Sequence, residues 1–172
     1  EELTLLQRDR NAAWFAEPEG ARILICSEIG SEGRNFQFAH HLVLFDLPDN
    51  PELLEQRIGR LDRIGQTETI NIHVPVIKGS GAELLARWYA EGLDAFEHSL
   101  KGAATLSATL GPKLKALQES GETTGFAEFL THTRTMQEDV ARKLTCGHDR
   151  LLELGAPSAE KTGTLIEHIS NT

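Results

Sequence analysis

Between Pro51 and Ile64 the chain reads PELLEQRIGRLDRI, which places Gln56, Arg60 and Arg63 at spacings of four and three residues. Taken as one helix at about 100° per residue, these three side chains fall in a sector of about 60°. Leu53, Leu54, Ile58, Leu61 and Ile64 occupy a separate broad arc suited to facing a sheet. Two guanidiniums one turn apart repel each other, and Gly59 inside a helix costs about 1 kcal/mol relative to alanine. An anion held by both planar forks offsets those costs, and a phosphate chain approaching closely over Gly59 fits best. A solvated helix face, with Arg60 and Arg63 paired to Glu55 or Asp62, satisfies the same spacing, and spacing alone does not decide between the two. Arg57 points toward the apolar rim and reads as structural.

A second constellation is SEIGSEGRNF, residues 27–36, directly after the apolar run ILIC. In open α/β sheets ligands bind beyond the carboxyl ends of strands, and a glycine-containing turn there presents backbone N–H groups to phosphate. Gly30 and Gly33 are so placed, but they form neither GxGxxG nor GxxxxGK followed by Ser or Thr. A tight strand-to-helix connection, with glycine supplying positive φ, is the better account of them from spacing alone.

The elements that must position these residues follow from periodicity. Thr4 is placed to cap a helix running to about Ala16, with Leu5, Leu6, Ala12, Ala13 and Phe15 available for burial, and Pro18 and Gly20 end it. ARILICS, HLVLFDL and INIHVPV read as three strands, the first two apolar enough to be covered on both faces. Asp49, Asn50 and Pro51 open the helix that carries the arginines. Residues 1–79 therefore predict an α/β unit, a parallel sheet with flanking helices. After the hinge-like Gly79, Ser80 and Gly81, residues 80–172 predict an α-helical segment. Leu84, Leu85, Trp88, Leu93 and Phe96 mark its first helix, with a joint at Gly92. Further helices are expected near 105–119, 125–145, 148–154 and 157–170, punctuated by Gly111, Pro112, Gly121, Gly147 and Gly155.

Composition sets the outer limits. In 172 residues, 40% are hydrophobic, enough for a real core. The net charge of −9 argues against the chain alone gripping DNA strongly, because phosphate contacts need clustered Lys and Arg. Cys26 and Cys146 suggest reduced thiols, and Cys146 with His148 lacks a second ligand pair, so no metal site is expected. No run approaches the roughly 18 apolar residues of a membrane span and the start is acidic, which predicts a cytoplasmic protein without membrane contact.

In order and spacing, CSEIGSEGRNF, LFDLPDNP and EQRIGRLDRIGQ resemble consecutive motifs of the second RecA-like lobe of Swi/Snf-type superfamily 2 ATPases. Within that family the likeness is to the bacterial RNA-polymerase-associated ATPases, and it continues through LLQRDRNAAWFAE upstream and RWYAEGLDAFEH and DRLLE downstream. The resemblance implies that residues 1–79 are the C-terminal part of that lobe, a partial RecA-like sheet, and that 80–172 are the accessory segment following it. Gln56, Arg60 and Arg63 fall on the motif QxxGRxxR, whose arginines act as fingers at the γ-phosphate, so Arg60 and Arg63 are the implied catalytic residues. Gln56, Gly33 and Asn35 fall on the ATP-binding side, although many relatives carry Asp where Asn35 stands. Ser27 falls where a hydroxyl contacts a nucleic-acid backbone phosphate. The implied activity is ATP hydrolysis with Mg2+ in an intact parent, coupled to movement along double-stranded DNA and to recycling of RNA polymerase. The phosphate loop and acidic motif belong to a first RecA-like lobe that this sequence lacks, so the chain reads as a fragment, inactive alone and with no cofactor expected on it. The alternative is a non-catalytic helical interaction module with relic motifs.

Overall fold

A computed structural model of the chain describes residues 3–27, 34–121 and 125–155, with side chains up to residue 146. The first helix, α1 (Leu5–Ala16), begins with a capping box: the Thr4 hydroxyl accepts from the Gln7 N–H, and the Thr4 N–H donates to Gln7 Oε1 at 2.8 Å. None of its residues is fully buried, and Leu5 and Leu6 remain exposed rather than packed. Phe15 alone makes an aromatic contact, in a triangle with Phe36 and Phe38 at centroid distances of 6.1 and 5.3 Å. An ion pair of 2.6 Å between Asp9 and Arg34 adds a second tether.

Of the three expected strands, two form. β1 (His41–Val43) and β2 (Asn71–His73) pair in parallel, with His41 opposite Asn71 and Val43 opposite His73. The ARILICS run makes no ladder. A strand needs a neighbour to take its backbone N–H and C=O groups, and no described residues supply one there; Ile25 is 93% exposed. Nor is HLVLFDL covered on both faces. Leu42 and Leu44 turn toward the helices while Val43 and Phe45 remain exposed, because the core lies on one side of the sheet only.

Between the strands lies α2 (Pro51–Ile58), capped by Asn50, whose Oδ1 accepts from the Glu52 N–H, and started by Pro51 in its first turn. It ends six residues before the expected Ile64. At Gly59 ψ reaches −4°, and the following bonds close at shorter range, from the Arg60 N–H to the Arg57 carbonyl and from the Leu61 N–H to the Ile58 carbonyl. Glycine makes this departure cheap, since its helix propensity is poor. Leu61 is buried, but Ile64 is fully exposed instead of facing the sheet.

Gly79 and Ser80 form a helix start: Ser80 Oγ accepts from the Glu83 N–H, and Glu83 Oε2 accepts from the Gly79 N–H. α3 (Gly81–Arg87) runs into a π-helical turn, Trp88–Gly92, closed by the Leu93 N–H on the Trp88 carbonyl at 2.9 Å. The expected joint at Gly92 is therefore present. A Cβ at Gly92 would lie 3.0 Å from Trp88 Cδ1 and 3.2 Å from Leu130 Cδ2, so a larger residue there would have to push these side chains aside. α4 (Ala103–Ser120) passes through Gly111 and Pro112, and α5 (Phe126–Gly155) runs without interruption through Gly147, merging two expected helices. The helix expected at 157–170 lies outside the described residues.

One apolar core joins the two halves. Trp88, Tyr89, Leu93, Leu106 and Phe129 are wholly buried together with Leu54 of α2. Polar groups reinforce the junction: the Tyr89 hydroxyl donates to the Pro48 carbonyl at 2.6 Å, and the Leu100 N–H donates to Glu55 Oε1 at 2.7 Å. The Trp88 Nε1–H reaches Thr133 Oγ1 at 3.2 Å, so the one buried polar side chain of the core has partners on both sides.

Burial, and next the charge of Asp49, push the Tyr89 phenol above its ordinary 10.0. The folded state holds the neutral phenol, whereas the unfolded chain ionises it near pH 10, so this stabilisation is complete below that pH and lost above it. Tyr89 is the only tyrosine in the chain. Urea unfolding between pH 8 and 11 should show stability declining above about pH 10. Tyr89→Phe should lower stability by about 1 kcal/mol at pH 8 and flatten that decline; an unchanged alkaline slope would contradict the assignment.

Candidate functional site

Arg60 and Arg63 sit on the turn that follows α2, so the single-face arrangement expected from a helix running to Ile64 is replaced by a local fold of residues 59–66. The backbone holds that fold. The Asp62 N–H donates to the Ile58 carbonyl at 3.0 Å, the Gln66 N–H to the Arg63 carbonyl at 2.9 Å, and Gly65 takes φ +100°. The Arg63 Nε–H donates to the Gly59 carbonyl at 3.2 Å. This leaves the outer nitrogens of its guanidinium without a protein partner among the described residues.

The three arginines of this region divide by partner. Arg57 donates from Nη1 to the Asp46 carbonyl at 2.6 Å and lies 3.6 Å from the Asp46 carboxylate, with 18% of its side chain exposed. It ties α2 back to the end of β1, as its position on the apolar rim suggests. Arg60 is half-buried and Arg63 exposed, and neither forms an ion pair among the described residues. Glu55, a carboxylate that the solvated-face reading would pair with them, is bonded to the Leu100 N–H instead. Neither guanidinium is neutralised by a carboxylate among the described residues, which leaves each able to bind an oxyanion.

The loop before β1 is joined to this turn. The Phe36 N–H donates to the Arg60 carbonyl at 2.9 Å, which puts Asn35 next to the arginine turn. Asn35 is exposed; its Oδ1 accepts from the Gln37 N–H and its Nδ2–H donates to Gln37 Oε1, both at 3.0 Å. Gln56 is exposed on α2, one turn before Arg60. Ser27 is exposed, with no described contact to the turn, and Gly33 lies outside the described residues. The structure thus brings Asn35, Arg60 and Arg63 into one region, with Gln56 at its margin.

Sequence reasoning passed over Gln66, which bonds the turn to the loop through its side chain. Nε2–H groups reach the carbonyls of Gln37 at 2.9 Å and Leu61 at 3.2 Å. Its signal in the sequence was only its place at the end of the arginine motif. Elsewhere, Asp94, Glu97 and His98 form the one cluster of potential metal ligands among the described residues, exposed and outside this region. Cys26 and Cys146 are free and exposed, and no helix among the described residues is long and apolar enough to cross a membrane.

Two family models match the chain. Residues 1–65 match the helicase conserved C-terminal domain, and residues 69–172 match the C-terminal region of the RNA polymerase recycling family. The two meet just after the arginine turn, so the parallel pair of β1 and β2 is built across their junction. Among curated proteins, the chain is 51% identical over 170 residues to the RNA polymerase-associated protein RapA of Pseudomonas putida KT2440, and equally so to that of strain GB-1. In each case the match covers 98% of this chain but only 18% of the relative.

The unequal bonding of the arginines has a measurable consequence. Arg57→Ala should lower the unfolding free energy of the chain by about 1 to 2 kcal/mol, through loss of a charge-assisted bond to a backbone carbonyl. Arg60→Ala and Arg63→Ala should each stay within about 0.5 kcal/mol of wild type. Denaturant titration separates these outcomes, and a large loss at Arg63 would mean that it serves the fold.

Proposed function

This chain belongs to the RNA polymerase recycling family, and from that membership we propose that it is part of a helicase-like motor that hydrolyses ATP, moves on double-stranded DNA and acts on RNA polymerase. The observation that carries this reading is the pair Arg60 and Arg63, held on a braced turn with no carboxylate partner among the described residues. The helicase match through residue 65 covers that turn, and the name of the relatives supports association with the polymerase. The reading as an interaction module with relic motifs is not favoured.

Whether the residues fit ATP can be judged from charge. In phosphoryl transfer, charge spreads over the transferring group, and preorganised guanidiniums stabilise it without reorganising at the moment of reaction. Arg60 and Arg63 supply that donor set, while Asn35, and with it Gly33 and Gln56, would line the nucleotide. Among the described residues the arginine turn carries no cluster of carboxylates suited to Mg2+. The reading gives magnesium and the phosphate loop to a first lobe of the parent, and Ser27 to a nucleic-acid backbone phosphate.

In the intact parent, Arg63→Ala should reduce DNA-stimulated ATP turnover by about 10³-fold or more, the usual weight of an arginine finger. The 172-residue chain alone should show no turnover above buffer. Phosphate release measured for the parent with double-stranded DNA and polymerase checks both, and full activity of Arg63→Ala, or ATP hydrolysis by the isolated chain, would remove the reading.

A further inference from the structure

Because α2 ends at Ile58, the helical ladder does not carry the arginines, and something else must fix them. Apolar packing contributes little on one side of the turn, since Leu61 is buried but Ile64 is fully exposed. The Arg63 Nε–H donates to the Gly59 carbonyl and the Asp62 N–H to the Ile58 carbonyl, but the side-chain bonds that tie the turn to the loop come from one residue. Gln66 Nε2 donates to the Gln37 carbonyl at 2.9 Å and the Leu61 carbonyl at 3.2 Å, with the Ala39 carbonyl at 3.4 Å sharing the same hydrogens. Its Oε1 accepts from the Glu68 N–H at 3.0 Å, and its own backbone N–H donates to the Arg63 carbonyl. The amide is fully used, and it is partly buried, where each bond is worth more than at the surface.

These bonds bracket Arg63. Leu61, two residues before it, is held through its carbonyl by the Gln66 side chain, and Arg63 itself through the Gln66 backbone. The same amide fastens both to the loop that follows Asn35. Arg60 has a separate hold, the Phe36 N–H on its carbonyl. Resting on the functional reading above, we propose that Gln66 is a positioning residue for Arg63: its amide sets where the Arg63 guanidinium stands and touches no nucleotide itself. A displacement of about 1 Å at a reacting centre can cost 10²-fold in rate, so the loss of this brace should be visible in turnover.

The test is a double-mutant cycle on the intact parent, with steady-state ATP turnover and KM measured at high enzyme concentration, ATP still in excess, so that slow variants remain readable. Gln66→Ala should lower the rate about 10- to 100-fold in the wild-type background with KM for ATP changed less than about twofold. In the Arg63→Ala background the same substitution should cost at least about fivefold less than that, because the residue it positions is gone. A merely structural role predicts equal losses in both backgrounds. Should Gln66→Ala fail to fold, Gln66→Glu, of equal length but without the two N–H donors, runs the same cycle. Equal losses, or no loss in the wild-type background, overturn the positioning role alone. Full turnover by Arg63→Ala overturns it together with the functional reading, so the two failures are distinguishable.

Discussion

Burial of Leu54 in the same core as Trp88, Leu106 and Phe129 is the contact through which the rest of the chain is organised. A two-stranded parallel sheet has too little apolar area to hold itself together, and α1 buries nothing fully. The helical segment supplies the missing core, and α2 is the element that reaches into it. Truncating such a leucine typically costs about 2 to 5 kcal/mol, a large fraction of the stability of a domain of this size. With α2 fixed, Glu55 meets the Leu100 N–H, Arg57 reaches back to Asp46, and the end of the helix presents the arginine turn at a defined place.

Electrostatic economy follows from that arrangement. The chain carries more carboxylates than cations, yet only some of its arginines are neutralised by one. Among the described residues Arg34 pairs with Asp9, Arg57 with Asp46 and Arg87 with Glu91, where the shared bond also lowers the Glu91 carboxyl below its usual range, whereas others such as Arg10 and Arg22 form no ion pair. Arg60 and Arg63 likewise form no ion pair among the described residues, and the turn that carries them is hydrogen-bonded to the loop before β1. Rigidity without neutralisation is the combination that a phosphate-contacting arginine requires, because its charge must be available and its position must cost nothing to find.

The helical segment is an integral partner of this site. Leu100 and Pro48 are each bonded across the junction, by Glu55 and by Tyr89 respectively, and both contacts flank α2. The two family matches cover residues 1–65 and 69–172, so both halves of the junction belong to matched regions. The opposite side of the sheet, with Val43 and Phe45, and the extended run with Ile23 and Ile25, leaves apolar side chains exposed in a chain that spans about 18% of its relatives.

Much of this was legible in the sequence, and for stated reasons. Thr4 and Asn50 cap helices because short polar side chains satisfy first-turn N–H groups wherever the chain permits it, and Ser80, read from sequence as part of a hinge, turns out to do the same. The periodicity of Leu84, Leu85, Trp88 and Leu93 gave the buried helical face, and the order of the arginine motif gave the family. Such signals are local, so residue types and spacing suffice. Only the tertiary structure decided that ARILICS has no strand partner, that Gly147 does not break α5, and that α2 stops at Gly59. A helical wheel assumes that the ladder continues, and whether it does depends on what the next residues can bond to. Here Phe36, far upstream of the turn, and Gln66 itself take up the turn's carbonyls. The sequence by itself determined which side chains carry the charge; the long-range bonds that fold the turn decided where that charge stands.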